Sequence, residues 1–434
     1  MGILFTDCRI IDCTGAPPIA DGALLVEGNS ITAVGPRADV LRSAGNGHVA
    51  FPLNGKTVLP GLWDAHIHLG ATVPPWEHHF RNESEAHYAF RCVRKAQDNL
   101  HLGITALRTM GDRFNADIEL KRAINSGVIV GPRLWVAGDV GWSRQEAGED
   151  TFRLRARERL RQGADHIKLF ATGGIAWPAE TITHTISSTG ELRAAIEEAH
   201  RWRKPATVHA IGDEGVRMAA EAGADSVEHG FVLGLDGIKA MAEHGTIFSP
   251  QLTVTEAWNE GLIDHAGCFP AWFRTNAIEA RIVHHRFAAE AFRAGLTMVA
   301  GVDNLPKLPL TAGVENYQGR PALVSEIQLM HEIGMTPIQA LMTATLNAAK
   351  VCRADARLGS LEAGKLADVI AVDGDPSRDL AALHSVRLVM KDGKLARCDQ
   401  PLPSGADSAV LPGAWLPGKD VLLPTEGYSP PRIP

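Results

Sequence analysis

Apolar and polar positions alternate in short runs at the start of the chain. GILFTDCRIID and GALLVEGNSITAVGP read as strands, because a period of two puts one face on a core and the other toward water. Glu27-Gly28-Asn29 breaks the second run and predicts a hairpin. The same texture returns near the end, in LADVIAVDGDP and SVRLVMKDGKLAR, where Asp392-Gly393 predicts a type I′ turn. A small β-sandwich built from both chain ends, residues 1–58 plus 353–398, is therefore expected.

Between residues 59 and 352 strand-like and helical runs alternate. The strand-like ones are TVLPGLWDAHIHL, ITALRTMG, PRLWVAG, HIKLFATGG, ATVHAIG, DSVEHG, TIFSPQLTV and LTMVAGVD. In ELRAAIEEAHRW, Leu192, Ile196, Ala199 and Trp202 recur at helical spacing, and Ser188 with Glu191 supplies a capping box. Thr336, Pro337 and Gln339 predict a second helix start of the same kind. Eight alternating units predict an α/β fold, a (β/α)8 TIM barrel. A doubly wound sheet is the runner-up, but no GxGxxG follows the first strand. Residues 399–434 are Pro-rich and aperiodic, and read as a C-terminal arm.

Composition narrows the function. A chain of 434 residues that is 45% hydrophobic and 21% charged is neither disordered nor collagen-like. The net charge of −7 is spread without a basic run, which argues against a nucleic-acid partner. No apolar run approaches the roughly 20 residues that span a bilayer, so no membrane partner is expected. The N-terminus lacks the basic segment and cleavage site of a secretory leader, and six dispersed cysteines form no CxxC. Both point to the cytoplasm. Eighteen histidines, more than the 13 Phe and 3 Tyr combined, raise the question of metal binding.

The placement of these histidines matters more than their number. His66 and His68 are two apart on the first barrel strand and so share a face. Lys168 lies on the fourth strand, His209 ends the fifth, His229 the sixth and Asp303 the eighth. All six fall near strand C-terminal ends, where barrel enzymes keep their catalytic groups. The adjacent pairs His78/His79 and His284/His285 cannot share a helix face and read as peripheral. His184 follows strand four on a loop and is a candidate substrate contact.

With these residues in view, the chain resembles the amidohydrolase superfamily. The likeness runs through LPGLWDAHIHLG, GITALRTMGD, SGVIVGPRL, IKLFATGG, ATVHAIGDEGVRMAAEAGADSVEHG and LGSLEAGKLADVIAVDGDP. The branch it is most similar to is the imidazolonepropionase-like and Xaa-Pro dipeptidase-like, prolidase-type one. That resemblance implies two divalent metal ions bridged by a CO2-derived carbamate on Lys168. His66, His68 and Asp303 would hold one, and His209 and His229 the other. Zinc suits such a site, as do manganese, cobalt and iron. It further implies a metal-dependent hydrolase that cleaves an amide-type C–N bond with a metal-bridged hydroxide, Asp303 shuttling the proton.

Two places differ from that branch. Where such relatives often carry Gly-Gly-His after the third strand, this chain reads AGDVGWSRQEAG, and where they often carry a tyrosine a few residues after the sixth-strand histidine, it reads His229-Gly230-Phe231-Val232-Leu233. Trp63, Trp142, Trp177 and Phe231 are candidates to line the mouth, favouring a small apolar or aromatic substrate. N-acyl amino acids, dipeptides, and xenobiotic amides, carbamates or ureas all fit. A lactone or organophosphate ester is the alternative on the same metals. A Schiff-base lyase using Lys168, or a scaffold without catalysis, represents the other function classes. Large barrels commonly assemble, so a homo-oligomer is expected.

Overall fold

The computed structural model describes residues 2–70, 82–175, 180–259, 271–303 and 322–416. One sheet has eight strands and draws on both ends of the chain. Its order is Val410–Trp415, Lys394–Cys398, Val386–Lys391, Val369–Val372, His48–Pro60, Gly2–Ile10, Ile19–Glu27 and Ser30–Pro36. Alternation sends Ile3, Phe5, Leu24, Val26, Phe51, Leu388 and Met390 into one apolar cluster. Phe5 and Phe51 pack with ring centroids 5.4 Å apart.

Asp392 and Gly393 both take positive φ, 55° and 72°, as a type I′ turn requires. A side chain on Gly393 would strike the Gly28 carbonyl at 2.0 Å, so the two hairpin tips abut. The C-terminal segment differs in part from the expected separate arm. Val410–Trp415 pairs in parallel with Lys394–Cys398, because Ala414 and Leu416 are apolar enough to join the sheet's core. Residues 417–434 lie outside the described residues.

The central region forms two parallel sheets. Leu62–Ile67, Ile104–Thr109 and Arg133–Trp135 make one; Ile167–Phe170, Ala206–Gly212, Ser226–Val232 and Ile247–Ser249 make the other. Backbone hydrogen bonds link them at both margins. Asp165 donates to the Val136 carbonyl at 2.7 Å, and the segment around residues 297–303 bonds to Phe248 on one side and Ala65 on the other.

Several of the expected strands are shorter than their sequence suggests. TIFSPQLTV is strand only through Ser249, and Leu252–Asn259 is helix. The buried carboxylate of Glu326 accepts from the N–H groups of Leu252 and Thr253, capping that helix where a strand would have run on. LTMVAGVD forms an isolated parallel bridge between Met298 and Phe248 in place of a longer strand.

The helix Thr189–Arg201 carries the Ser188/Glu191 capping box, and Pro337–Thr343 carries the Thr336/Gln339 one. Trp202 is not on the buried face of its helix with Leu192, Ile196 and Ala199. It is the C-cap, with its indole N–H donating to Glu198 at 3.2 Å.

Candidate active site

The strand Leu62–Ile67 alternates between two environments. Trp63 and Ala65 face an apolar cluster with Ala348 and Val351, whereas Asp64 and His66 face the opposite way. The Asp64 carboxylate accepts from the N–H groups of His66 and Val302, and burial pushes its pKa up to about 8. Val302 and Asp303 both donate to the His66 carbonyl, at 3.1 and 2.8 Å. The first and eighth segments are thus stitched together where their functional side chains emerge.

His66, His68 and Asp303 converge. One ligand atom of each lies within 4.8 Å of the others. His66 Nδ1 donates to the Glu228 carboxylate at 2.7 Å, and its Nε2 sits 3.6 Å from Asp303 Oδ1. His68 repeats the arrangement with a backbone partner: Nδ1 donates to the Gly111 carbonyl at 2.6 Å, and Nε2 lies 3.8 Å from Asp303 Oδ1. In each ring the nitrogen that carries hydrogen is engaged away from Asp303, leaving the other lone pair aimed at the cluster. Asp303 itself is 27% exposed, open to a solute on one side.

The other predicted residues adjoin this group. The His229 ring lies 4.9 Å from His66 and 4.4 Å from His209, and its Nδ1 is 3.9 Å from Asp303 Oδ2. His209 Nε2 donates to the Gly173 carbonyl at 3.1 Å. Lys168 is buried beside them, its amine 5.4 Å from the Phe170 ring. Burial lowers its pKa to about 8, with Arg108 and Arg144 adding to the effect against Glu228 and Asp303. Burial first, and the charge of Lys168 second, lowers His66 to about 4. His209 and His229 are held well below the usual histidine range, again chiefly by burial. Neutral imidazoles with free lone pairs are what a metal ion binds.

Glu228 and His229 are neighbours in sequence, yet both reach the cluster. Simple alternation would send one of them outward. The chain avoids this by placing His229 at φ 81°, in the left-handed region, with Gly230 following at 58°. Gln251 and Asp303, at φ 52° and 39°, are left-handed as well. Such conformations cost about 1–3 kcal/mol each and persist only where their surroundings impose them. Gln251 shows how: its Oε1 accepts from the His229 N–H at 2.8 Å, while its amide donates to Glu228 at 3.2 Å.

Beneath the histidines lies a polar layer that sequence reasoning missed. Glu228 is fully buried and accepts from Arg108 at 2.8 Å, Thr207 at 2.5 Å and Ser226 at 2.9 Å. Burial alone would raise its pKa, but Arg108 and His66 hold it well below the usual carboxylate range. Asp112 plays a similar part above, accepting from the N–H groups of Leu69 and Gly70 and from the Tyr88 hydroxyl. Both had a sequence signal: Glu228 immediately precedes His229, and Asp112 ends GITALRTMGD.

Not all the candidate substrate contacts reach the cluster. Trp63 does not line a mouth; alternation turns it away from His66, onto Trp135 with centroids 4.6 Å apart. Trp142 is buried edge-on against Phe152 at 5.3 Å, in the main apolar core. Phe231 is buried with its ring 5.0 Å from His229. His184 is exposed, its Nδ1 engaged with Thr181. Trp177 lies outside the described residues.

The donors fit a divalent metal. His229 Nδ1 is buried and, among the described residues, closes no hydrogen bond, so it is a lone pair or proton in need of a partner. Nε2 of His66 and of His68 faces the same carboxylate.

The chain is similar to several known proteins. Ochratoxinase from Aspergillus niger is 27% identical over 441 aligned positions, covering 90% of this chain and 86% of that protein. Imidazolonepropionase from Symbiobacterium thermophilum is 29% identical over 402, covering 82% and 84%. The crystal structure of a Xaa-Pro dipeptidase with bound methionine in its active site superposes with a TM-score of 0.80 at 27% identity, covering 92% of this chain and 100% of that one. Residues 57–396 match the Amidohydrolase family, and the chain belongs to it.

Proposed function

We propose that this amidohydrolase-family chain is a metal-dependent hydrolase of an amide-type C–N bond, built on a (β/α)8 barrel closed by the margins of its two parallel sheets. The convergence of His66, His68 and Asp303 carries the reading. Those three residues would hold one divalent ion and His209 and His229 a second, with a carbamate on Lys168 shared between them. Zinc fits this donor set, as do manganese, cobalt and iron. Bound there, the metals supply Lewis acidity, lowering the pKa of a water and polarising a carbonyl.

The chain's own groups supply the rest. Asp303 is partly open to solvent, so its carboxylate can reach a substrate while His66 and His68 stand behind it. It takes a proton from the attacking water as the C–O bond forms. It returns that proton to the nitrogen as the C–N bond breaks, so the products are an acid and an amine. Glu228 keeps His66 in the tautomer that presents Nε2 to the cluster. Buried Phe231 beside His229 favours an apolar or aromatic group next to the scissile bond.

Relatives and neighbours in this family include a Xaa-Pro dipeptidase and an ochratoxinase. Candidate substrates here are N-acyl amino acids, dipeptides, and xenobiotic amides, carbamates or ureas. The deciding experiment is a hydrolysis screen over those classes, with lactones and phosphotriesters included, on protein stripped with chelator and reloaded with single metals in bicarbonate. Activity on an amide-type bond that disappears on stripping and returns on reloading is expected. Full activity in the metal-free protein, or borohydride trapping of a carbonyl compound on Lys168, would refute the reading.

A further inference from the structure

The two histidines of the first strand are anchored differently. His66 lies within the strand Leu62–Ile67, and the N–H groups of Val302 and Asp303 fix its carbonyl. The strand stops one residue short of His68. Past the ladder, side chains answer the backbone instead.

The peptide unit that joins His68 to Leu69 is held on both sides. Lys95 Nζ donates to the His68 carbonyl at 2.8 Å, and the Leu69 N–H donates to Asp112 Oδ2 at 3.1 Å. An ammonium on the oxygen and a carboxylate on the hydrogen make both bonds charge-assisted, and both align with the peptide dipole. The His68 ring is tied to the same neighbourhood. Its Nδ1 donates to the carbonyl of Gly111, the residue before Asp112.

The helix Glu85–His101 supplies this support. Tyr88 and Lys95 stand two turns apart on its buried face. The Tyr88 hydroxyl donates to Asp112 Oδ1 at 2.8 Å, and a side chain on Gly70 would strike the Tyr88 ring at 2.3 Å. The segment His68–Gly70 is therefore pressed against the helix. Lys95 is only 5% exposed, and among the described residues its amine forms no ion pair. A buried ammonium is costly, and methionine would fill the same space without that cost. What methionine cannot do is hold the His68 carbonyl.

We propose that Lys95 is a positioning residue for His68. Its ammonium, opposed by the Asp112 carboxylate, fixes the plane of the His68–Leu69 peptide. That plane sets the direction in which the His68 ring leaves the backbone, with Nε2 turned toward Asp303. The inference rests on the reading of His68 as a metal ligand.

The test compares wild type with Lys95→Met, Lys95→Gln and Lys95→Arg, with His68→Asn as the reference for loss of this ligand. Each is stripped, reloaded with cobalt, and measured for ions bound per chain, dissociation constants against a competing chelator, and visible absorption spectrum. Far-UV circular dichroism establishes that each is folded. Lys95→Met is expected to weaken, by about 10–100-fold, the same ion that His68→Asn weakens. The other ion should stay tight, and the cobalt spectrum should change. Lys95→Arg, which keeps a cationic donor, is expected to recover most of the affinity. If Lys95→Met fails to fold, Lys95→Gln takes its place. Its amide is uncharged and ends short of the Nζ position, so the same ion should weaken. Wild-type affinity and spectrum in folded Lys95→Met or Lys95→Gln, or equal weakening of both ions, overturn the role of Lys95 alone. A wild type that binds no metal overturns the reading of the site, and the role with it.

Discussion

Phe5, Phe51 and Met390 in the eight-stranded sheet, and His66, Lys168 and Glu228 in the parallel sheets, are all nearly sealed from water. The first set fills its space with apolar groups. The second fills it with charges and lone pairs that must find partners within the protein. In the eight-stranded sheet the inward positions are interchangeable to first order, since any apolar side chain of suitable volume removes similar area from water. In the parallel sheets the buried carboxylates are answered by particular atoms: Glu228 by Arg108 and His66, Asp64 by the His66 and Val302 N–H groups. One region is organised by volume and the other by pairing.

Substitutions can break this contrast. Asp303→Asn should have the largest effect on activity, a loss of about 10²–10⁴-fold in kcat, with the thermal midpoint almost unchanged. A variant that keeps wild-type turnover would remove Asp303 from the proton path. Phe51→Ala should do the reverse. It should cost about 3–5 kcal/mol of stability, read from denaturant unfolding, while the folded protein keeps its metal affinity and kcat. Loss of metal binding there would show that the two regions are not independent.

Glu228→Gln tests the middle case. The amide still fills the space but leaves Arg108 without its anion and His66 without a charged acceptor. A fall of about 10–100-fold in metal affinity is expected, together with lower stability, from chelator competition and thermal unfolding on the same sample.

The smallest expected effect is in the pH dependence of stability. Burial raises Glu326 to about 7, above the value of 4.5 for the free side chain. The folded chain therefore holds a proton that the unfolded chain has released between those values. That contribution is fully present below about pH 4.5 and is lost as pH rises through about 7. Glu326→Gln should flatten this part of the profile, changing the difference in melting temperature between pH 5 and pH 8 by a few degrees. An unaltered profile would mean that the capping hydrogen bonds from Leu252 and Thr253 keep the carboxylate ionised throughout.

Legibility followed the same division. The Asp392-Gly393 turn and the two capping boxes were readable because each depends on residues close in sequence. His66, His68 and Asp303 were readable from their positions at strand ends, and the structure brings them together. Trp63, a candidate for the mouth, packs on Trp135 away from His66, as its parity relative to His66 implies. His284, expected at the periphery, is completely buried; an adjacent histidine pair on a helix gives no sign of what packs against it. Glu228 was passed over although it stands next to His229, because alternation predicts that the two diverge.

The sequence by itself determined which residues could carry the chemistry: imidazoles, a lysine and an aspartate at the ends of strands, in motifs of a known family. It also determined the local signals of turns, caps and alternation, since those act over a few residues. Only the tertiary structure decided which nitrogen of each histidine is free, which buried charge answers which, and that His229 departs from alternation. Those properties depend on atoms brought together from distant parts of the chain. The partner of His66 is 162 positions away in sequence, and only folding makes it a neighbour.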